Sequence, residues 1–478
     1  MKNLTHTIVR MGSAGLLAAG LTLSLAGCNG TTNKSTATAS ETELSVIEEV
    51  EDTSAKDSEA SIAPDASAES TAASTTTANL NTNGAIDTTD LFTDRDLAQT
   101  ADTSEATAIT LSSGQDVTID KEGVYVLSGE ASDVTITVEV DDTEKVQLVL
   151  DGVSITNEDA PAVYVKNADK VFVTTIEGST NTLQVAGTFV ADGETNTDAV
   201  IFSRDDLVLN GQGTLKISST GNGVTSKDDL KVTGGSYVID ASADALEANE
   251  SIAIADGSFS ITTQKDALHA ENDEDDTTGY VYICGGSFDI SAGDDGIQAI
   301  TYLQIDDGGL SINAGEALEA TYVQVNGGTI DINASDDGIN ASYKSQSIGT
   351  PTLEVTGGNL TINMGSGDTD ALDSNGDLIV SGGAIDITAQ FAFDYDGTAS
   401  FTGGTITVNG EQISEISNSM MMGGGMGPGQ GEMGQQQDGM GYGHGGPRQD
   451  GMGPGSQGDF GQGATTTQQQ ISDTTVSS

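Results

Sequence analysis

The sequence predicts an all-β protein built as a single-stranded parallel β-helix with coils of about 22 residues. Short alternating runs of apolar and polar residues, such as 134–138 and 146–150, end at Gly, Asp or Asn, which is typical of strands. A Gly-Gly motif recurs at intervals of 19 to 30 residues. No segment shows the apolar stripe of an amphipathic helix, so the repeated unit consists of strands and turns.

The Gly-Gly motif defines the coil. Its core reads apolar-x-apolar-x-Gly-Gly-x-apolar-x-Ile, as in 230–239 and 353–362. A unit of about 22 residues, at ~3.3 Å per residue, has a contour of ~70 Å, which wraps once around a small apolar interior through two or three strands. Longer intervals indicate loop insertions. The second glycine of the motif lies at Gly213, Gly235, Gly257, Gly286, Gly309, Gly328, Gly358, Gly383 and Gly404.

The composition suits this fold and excludes one class of function. Only 4% of the 478 residues are aromatic and Trp is absent. Stacked coils that bury one another's edges need only small β-branched fillers, so the scarcity of aromatic residues is expected. The 73 acidic and 16 basic residues give a net charge of −57. Nucleic-acid binding is excluded, since phosphate contacts need clustered Lys or Arg.

Residues 1–27 have the features of an export signal. Lys2 and Arg10 precede an apolar run, 14–26, that is too short to span a bilayer. The run ends in Leu-Ala-Gly followed by Cys28, which resembles the lipobox of a bacterial lipoprotein. We therefore predict that 1–27 is a signal peptide and that Cys28 is lipidated. The protein would lie on the extracellular face of a bacterial membrane, held there by its lipid anchor alone.

Composition divides the remaining chain into three parts. Residues 28–100 are rich in Ser, Thr, Ala and acidic residues without a sustained period, which predicts a disordered tether. The strand-like runs occupy 101–418, the predicted β-helix domain. Residues 419–478 consist largely of Gly, Met, Gln and Pro, and we predict a disordered tail there.

Six boxes of the form acidic-x-apolar-x-Ala or acidic-x-apolar-x-Ser follow Gly-Gly strands. In stacked coils their acids form a column, and carboxylates one coil apart repel by ~1 kcal/mol in water and by more when partly buried. Oxygen ligands at flexible spacing suit Ca²⁺, whereas these Asp residues can equally cap turns through backbone hydrogen bonds. We predict calcium sites in this column, with doubled acids marking several of them. The candidate ligands are Asp244, Asp266, Asp294, Asp295, Asp336, Asp337, Asp368, Asp370 and Asp373.

Tyrosines form a second predicted column. Tyr280, Tyr302 and Tyr322 each directly precede the first apolar residue of a strand, so the alternation turns all three outward on successive coils. Outward tyrosines offer a platform for sugar rings, and three coils cover ~10 Å, about two sugar units. Stacking between coils that stabilises the fold is the alternative interpretation, and both stay open at this point.

The residues give little support to the enzymatic functions known for β-helix proteins. A pectin-cleaving lyase needs a basic residue that removes a proton, but the only Lys or Arg between Asp266 and Ser419 is Lys344. A polygalacturonase needs paired carboxylates with a Gly-His-Gly motif, and that motif, 443–445, lies in the predicted tail. We therefore predict that the protein is not an enzyme.

Several longer strings combine into a family resemblance over about residues 105–415. They are 123–129, 146–157, 202–207, 223–230, the acidic boxes and the loop that starts at Ala270. Together they resemble the bacterial carbohydrate-binding domain-containing proteins. The resemblance implies a right-handed parallel β-helix of the polysaccharide-lyase type, calcium sites on that helix, and binding of acidic or cellulosic plant polysaccharide without demonstrated catalysis.

Two functions are compatible with these features. The first is a lipid-anchored surface protein that binds pectic or cellulosic polysaccharide, with Ca²⁺ bridging galacturonate carboxylates to protein carboxylates. The second is a stalk or adhesin, rigidified by Ca²⁺, that binds a protein partner. The acidic and tyrosine columns are the features on which the first depends, and we adopt it as the main hypothesis.

Overall fold

The computed structural model describes residues 86–418, except Glu194 and Asp368. This part of the chain contains 34 strands and no α-helix, so the predicted all-β class is confirmed. The pairing is parallel throughout, apart from the antiparallel pair formed by the last two strands. No helix in 86–418 is long and apolar enough to cross a membrane. The predicted signal peptide, Cys28, most of the tether and the tail lie outside the described residues.

The strands form three series, and each strand pairs within its own series, apart from a few long strands that also pair in a second series. The first series contains β1 (Thr107–Thr110), β3 (Gly123–Ser132), β5 (Lys145–Asn157), β7 (Lys170–Thr175), β10 (Asp206–Gly211), β13 (Asp229–Val232), β16 (Ser251–Ile254), β19 (Tyr280–Ile283), β21 (Ile297–Ile305), β23 (Leu318–Val325), β26 (Thr352–Val355), β29 (Asp377–Val380) and β32 (Ala399–Phe401). The second contains β8 (Thr180–Val185), β11 (Thr214–Ser219), β14 (Ser236–Ala241), β17 (Ser258–Thr263), β20 (Ser287–Ser291), β22 (Gly309–Ala314), β24 (Thr329–Ala334), β27 (Asn359–Met364), β30 (Ala384–Thr388), β33 (Thr405–Val408) and β34 (Glu411–Ile413). The third contains β2 (Val117–Ile119), β4 (Ile136–Glu139), β6 (Val163–Asn167), β9 (Ala199–Ser203), β12 (Asn222–Ser226), β15 (Leu246–Ala248), β18 (Leu268–Ala270), β25 (Ile339–Ala341), β28 (Asp370–Ser374) and β31 (Phe391–Tyr395).

The chain visits the three series in a fixed order. Strands β10, β11 and β12 pair with β13, β14 and β15, one strand in each series. The long strands β3 and β5 pair in both the first and the second series, whereas β21 and β23 pair in both the third and the first. Each passage through the three series, called a coil below, therefore places one set of strands beside the preceding set.

Alternation along the strands builds the core. In β22 the side chains of Leu310, Ile312 and Ala314 are buried while the intervening residues are exposed. Val, Ile, Leu and Ala from all three series join in one continuous apolar cluster. Part of the small aromatic content is also buried here, since the rings of Phe259 and Phe288 stack in register with centroids 4.5 Å apart. Small fillers and a short aromatic stack thus replace the bulky core of a layered fold.

Close approach of the backbone explains the Gly-Gly repeat. A Cβ atom on Gly357 would lie 2.1 Å from the carbonyl oxygen of Asn326 on the neighbouring coil, which leaves no room for a side chain. Gly358 has a φ of 84°, in the left-handed region that favours glycine. Gly357 is therefore required for steric reasons, and Gly358 for both reasons, since its Cβ would lie 2.8 Å from the carbonyl oxygen of Gly327.

An N-terminal strap, residues 86–99, packs on the outer face of the first series. The backbone N–H of Ile86 donates to Gln304 Oε1 at 2.7 Å, and the side chain of Ile86 is 3% exposed. At the other end of the strap, Gln99 Nε2 donates to the carbonyl oxygen of Thr233 at 2.8 Å. The folded part thus begins before the predicted end of the tether, because hydrogen bonds to distant coils fix a segment that has little alternation of its own.

Candidate functional site

The first residues of the acidic boxes form a column at the turns that precede the third-series strands. The backbone N–H of Asp266 donates to Asp244 Oδ1 at 3.1 Å, and that of Asp295 donates to Asp266 Oδ1 at 2.8 Å. The N–H of Asp370 donates to Asp337 Oδ1 at 2.9 Å in the same way. Each of these carboxylates caps the turn of the next coil, as the alternative interpretation held. The cap uses one oxygen of each group.

A second polar column lies three residues further along each box, and the sequence analysis missed it except for Asp373. The fourth position of all six boxes is polar, which was the available signal. Backbone pairing places these residues in register from coil to coil. The two columns run side by side along the third series. The members of the second are Glu247, His269, Gln298, Glu319, Asn340 and Asp373.

His269 is the cation at one end of this acidic face. Its Nδ1 lies 3.5 Å from Oδ2 of both Asp244 and Asp266, and its Nε2 lies 3.0 Å from Glu271 Oε2. Burial lowers the pKa of His269, but the hydrogen bond to Asp244 and the charges of Asp266 and Asp244 outweigh it and raise the pKa to about 9. His269 is therefore an imidazolium at neutral pH.

Three predicted ligands, Asp266, Asp294 and Asp295, come together between neighbouring coils. One carboxylate oxygen of each lies within 4.8 Å of the others. Asp294 is exposed, whereas Asp266 and Asp295 are buried. Burial raises the pKa of Asp266 to about 6. Burial, followed by the charge of Asp266, raises the pKa of Asp295 to about 8. The crowding and desolvation of these carboxylates raise the affinity of the group for protons, and the three oxygens lie close enough to hold a metal ion.

The next group along the face shares Asp295 and adds Glu316 and Glu319, again with one oxygen of each within 4.8 Å. Burial, followed by the charge of Glu319, raises the pKa of Glu316 to about 7. Lys344 Nζ lies 2.5 Å from Glu319 Oε2, whose side chain is only 6% exposed. The lysine that stood alone in the sequence is therefore the counter-ion of this group.

A further acidic group lies outside the boxes. Asp228, Asp229 and Glu250 bring one oxygen each within 4.8 Å. Burial, followed by the charge of Asp206, raises the pKa of Asp228 to about 7. Sequence reasoning missed this group, although its doubled Asp is the same signal that singled out Asp294 and Asp295.

The remaining predicted ligands do not assemble in this way. Among the described residues, Asp336, Asp337, Asp370 and Asp373 belong to no group of three acids within that distance. Asp336 is exposed, and burial raises the pKa of Asp337. Burial, followed by the charge of Asp337, raises the pKa of Asp373 to about 7. Asp368 lies outside the described residues.

Two of the three predicted tyrosines form an accessible pair. Tyr302 and Tyr322 are in register on successive coils, half-buried, with ring centroids 5.8 Å apart. Tyr280 differs from the expectation, because it is only 9% exposed and packs with Ile86 and Tyr282. It does point away from the main core, but the strap covers it. The alternation predicted the direction of the side chain and could not predict the cover.

A cleft of about 430 Å³ opens beside His269. Its lining mixes both signs of charge, and Lys227 Nζ lies 3.4 Å from Glu247 Oε1 within it. The cleft brings together cations that the sequence separates. Its charged lining residues are Asp198, Lys227, Asp244, Glu247, Lys265, His269, Glu271 and Asp273.

Comparisons with known proteins bear on the family. The family model described as carbohydrate-binding domain-containing protein matches residues 113–365 and 316–415. A relative of that description from Acetivibrio thermocellus is 40% identical over 206 residues, which are 42% of this chain and 72% of the relative. A solved structure, the gadolinium derivative of the polysaccharide lyase-like protein from C. thermocellum, covers 63% of this chain and 96% of its own, with 24% identity and a TM-score of 0.37. The family model spans more than half of the chain, and this protein therefore belongs to the carbohydrate-binding domain-containing family, as its sequence strings predicted.

Proposed function

We propose that this protein is a non-catalytic, lipid-anchored surface protein that binds pectic or cellulosic polysaccharide with bound calcium. The supporting observation is that a member of a carbohydrate-binding family carries polar columns in register from coil to coil. Parallel strands repeat every ~4.8 Å, so a polymer lying across them meets the same kind of group at each step. Such a surface suits a repeating ligand better than a small molecule.

The proposal takes the three strand series to be the faces of a right-handed β-helix. The fixed order of the series and the parallel register of successive coils are the support for a β-helix. Right-handedness follows from the general rule that nearly all parallel crossover connections in one sheet are right-handed. The strap and β34 would then lie against the sides and one end of the stack.

Calcium is assigned to the group of Asp266, Asp294 and Asp295. The donor set fits the ion, since Ca²⁺ prefers carboxylate oxygens at flexible spacing and the exposed Asp294 gives access from solvent. When bound, the ion would supply positive charge to a face of a strongly acidic protein. Through it, galacturonate carboxylates could approach a chain of net charge −57 that would otherwise repel them.

The assignment as non-catalytic is supported by the state of His269. A lyase needs a base that is free to take up a proton, and both ring nitrogens of His269 already face carboxylates, Nδ1 those of Asp244 and Asp266 and Nε2 that of Glu271. In the proposed function His269 holds Asp244 and Asp266 in place. Export, cleavage before Cys28 and lipid anchoring on the extracellular face of a bacterial membrane complete the proposal, on the support of the sequence alone.

A pull-down on insoluble polygalacturonate and on cellulose, with excess calcium and with excess chelator, tests the proposed function. We expect retention on at least one polymer, and calcium-dependent retention on polygalacturonate. Reducing-end and unsaturated-product assays on the same samples should show no cleavage. If the protein binds neither polymer under either condition, the proposed function fails, and a calcium-rigidified adhesin for a protein partner takes its place.

A further inference from the structure

Three asparagines line up on the second series, away from the acidic columns. Asn313 on β22, Asn333 on β24 and Asn363 on β27 are paired in register across successive coils. Asn313 and Asn333 are exposed and Asn363 is half-buried. In the part of the chain that the structure describes, no hydrogen bond is formed by any of the three amide side chains. Their donors and acceptors therefore face outward without partners from the protein.

These amides line a shallow trough of about 450 Å³. The rest of its lining consists of small or neutral residues, so the trough is open and uncharged along its length. Those residues are Ala292, Gly293, Ala314, Gly315, Ala334, Ser335, Met364 and Gly365. The strands on either side of the middle asparagine place one amide every ~4.8 Å, so three of them cover ~10 Å, about two sugar units.

The chemistry of the trough matches a carbohydrate. A primary amide offers two donors and an acceptor on one rigid plane, which lets it bind neighbouring hydroxyl groups that themselves donate and accept. Small floor residues let a flat ring lie close to the backbone. A ladder of such amides recognises a repeating, hydroxyl-rich polymer without requiring it to carry a charge.

The charges around the trough favour a neutral polymer over an acidic one. Asp294 and Asp336 are exposed at the turns that follow Gly293 and Ser335 at its edge. No cation lies among the residues that line the trough. In the absence of calcium on Asp294, a polymer that carries a carboxylate on each unit would be repelled both by these acids and by the overall charge of −57.

We propose that the trough of Asn313, Asn333 and Asn363 is a binding site for an uncharged, hydroxyl-rich polysaccharide that runs across the strands from coil to coil. The proposal rests on the proposed function for its ligand class, and it assigns that function a site distinct from the tyrosines and from the acidic columns. The tyrosine pair belongs to the first series and the boxes to the third. Calcium is not required for this contact.

The test compares two double variants on the same two strands. Asn333→Ala with Asn363→Ala removes two amides of the trough, whereas Thr329→Ala with Asn359→Ala removes two polar groups at the other end of β24 and β27. Affinity is measured for hydroxyethyl cellulose, a soluble neutral β-glucan, in chelator. The trough variant should bind roughly tenfold more weakly, since two hydrogen bonds are lost, and the control should bind as wild type. Thermal melts of both should match the wild type because the amides are unpartnered.

Each outcome decides the proposal. Equal affinity of the trough variant and the wild type, with both melts intact, would overturn the site. An equal loss of affinity in the two variants would mean that the polymer contacts the whole outer face of the strands, and it would overturn the proposed asparagine site. Wild-type protein that binds polygalacturonate but no neutral glucan overturns the ligand class while the proposed function stands. Wild-type protein that binds no polymer overturns both.

Discussion

The second and third strand series both carry acidic side chains on their outer faces, but they differ in how far those carboxylates are exposed to solvent. Second-series strands such as β22 are six residues long, and their outward side chains are exposed. Third-series strands such as β18 have three residues, and the box acids lie at the turns beside them. A carboxylate at such a turn is desolvated, whereas one on the outer side of a second-series strand, such as Asp331, is exposed.

The pKa values record this difference. Burial raises the pKa of Asp295 to about 8 and that of Glu316 to about 7 on the third series. An exposed carboxylate is not by itself a ligand site, and a buried carboxylate without a partner would destabilise the fold. The third series combines burial with close like charges, and its acidic groups could hold a metal ion. The asparagine trough on the second series combines exposure with neutral amides, which is why we propose a neutral ligand there.

The largest expected effect is on the pH dependence of stability without divalent cation. Asp266, Asp295 and Glu316 have folded pKa values of about 6, 8 and 7, above their ordinary values, so the folded state binds protons more tightly. Stability from these protons is lost as pH rises through those values. His269 is raised from 6.5 to about 9, and its contribution is likewise lost as pH rises through 9.

Both contributions have the same sign, so in chelator the free energy of unfolding should fall on the order of a few kcal/mol between about pH 5 and about pH 9. Urea denaturation at a series of pH values measures it. Excess calcium should reduce the fall, because the ion binds the deprotonated groups. A rise in stability with pH in chelator would show that the acidic face is not desolvated in solution.

Calcium should stabilise the protein by binding at Asp294, and an exposed acid on the second series should make no such contribution. An ion bound only by the folded state adds about 2.7 kcal/mol when its concentration is 100 times the dissociation constant. Asp294→Asn should remove most of that gain and leave the chelated protein unchanged or slightly more stable. Asp331→Asn, on the exposed side of β24, is the matched control. Thermal melts with calcium and with chelator measure both, and equal calcium shifts in the two variants would move the site elsewhere.

The sequence predicted the repeating strands and the register of the box acids, but it did not predict which other side chains join them, and this has a physical cause. The Gly-Gly period predicted the parallel coils, and the box acids Asp266 and Asp295 were predicted to come into register. Period-based reasoning followed one position of each box and missed His269 and Glu319 at another. A sequence repeat predicts which residues of successive coils come into register. It does not predict how deeply a side chain is buried at a turn, because that depends on how the neighbouring turns pack over it.

Segments outside the repeat were the least predictable. The strap lacks alternation, yet it covers Tyr280, because Ile86 of the strap packs in one cluster with Tyr280 and Tyr282 of β19. Lys344 likewise lies between two repeats, in the loop before Thr352, and it pairs with Glu319. In both cases a residue remote in sequence supplies the partner, and no local pattern indicates such a contact.

A smaller difference in stability between the two faces is expected when a lysine is removed from each of them. Lys344→Met leaves Glu319, with a side chain 6% exposed, beside Asp295 and Glu316 without its counter-ion. We expect a loss of about 1 to 2 kcal/mol, below the cost of breaking a fully buried pair because the Lys344 side chain is 30% exposed. Lys216→Met, exposed on β11, should change stability by less than about 0.5 kcal/mol. Urea denaturation measures both variants, and equal losses of stability would show that Lys344 does not stabilise the acidic group.

The tyrosines give the smallest effect and extend the comparison to the first series. Tyr302 and Tyr322 are half-buried, and Tyr322 Oη donates to Glu354 Oε2 at 2.8 Å, so changing both to Ser should lower the melting temperature by only a few degrees. If they contact sugar, affinity for cellulosic or pectic polymer should fall several-fold, since an exposed aromatic contact contributes ~1 kcal/mol.

Tyr280→Ser is the internal control for that double variant, because the ring is covered by the strap and cannot reach a ligand. It should lower the melting temperature more than the double variant does, through loss of packing against Ile86 and Tyr282, while polymer affinity stays unchanged. Pull-downs and melts on the same preparations decide between two roles. Unchanged binding in the double variant makes the tyrosine pair structural and leaves the asparagine trough as the sugar contact, whereas weaker binding only in Tyr280→Ser would mean that the strap opens to admit the polymer.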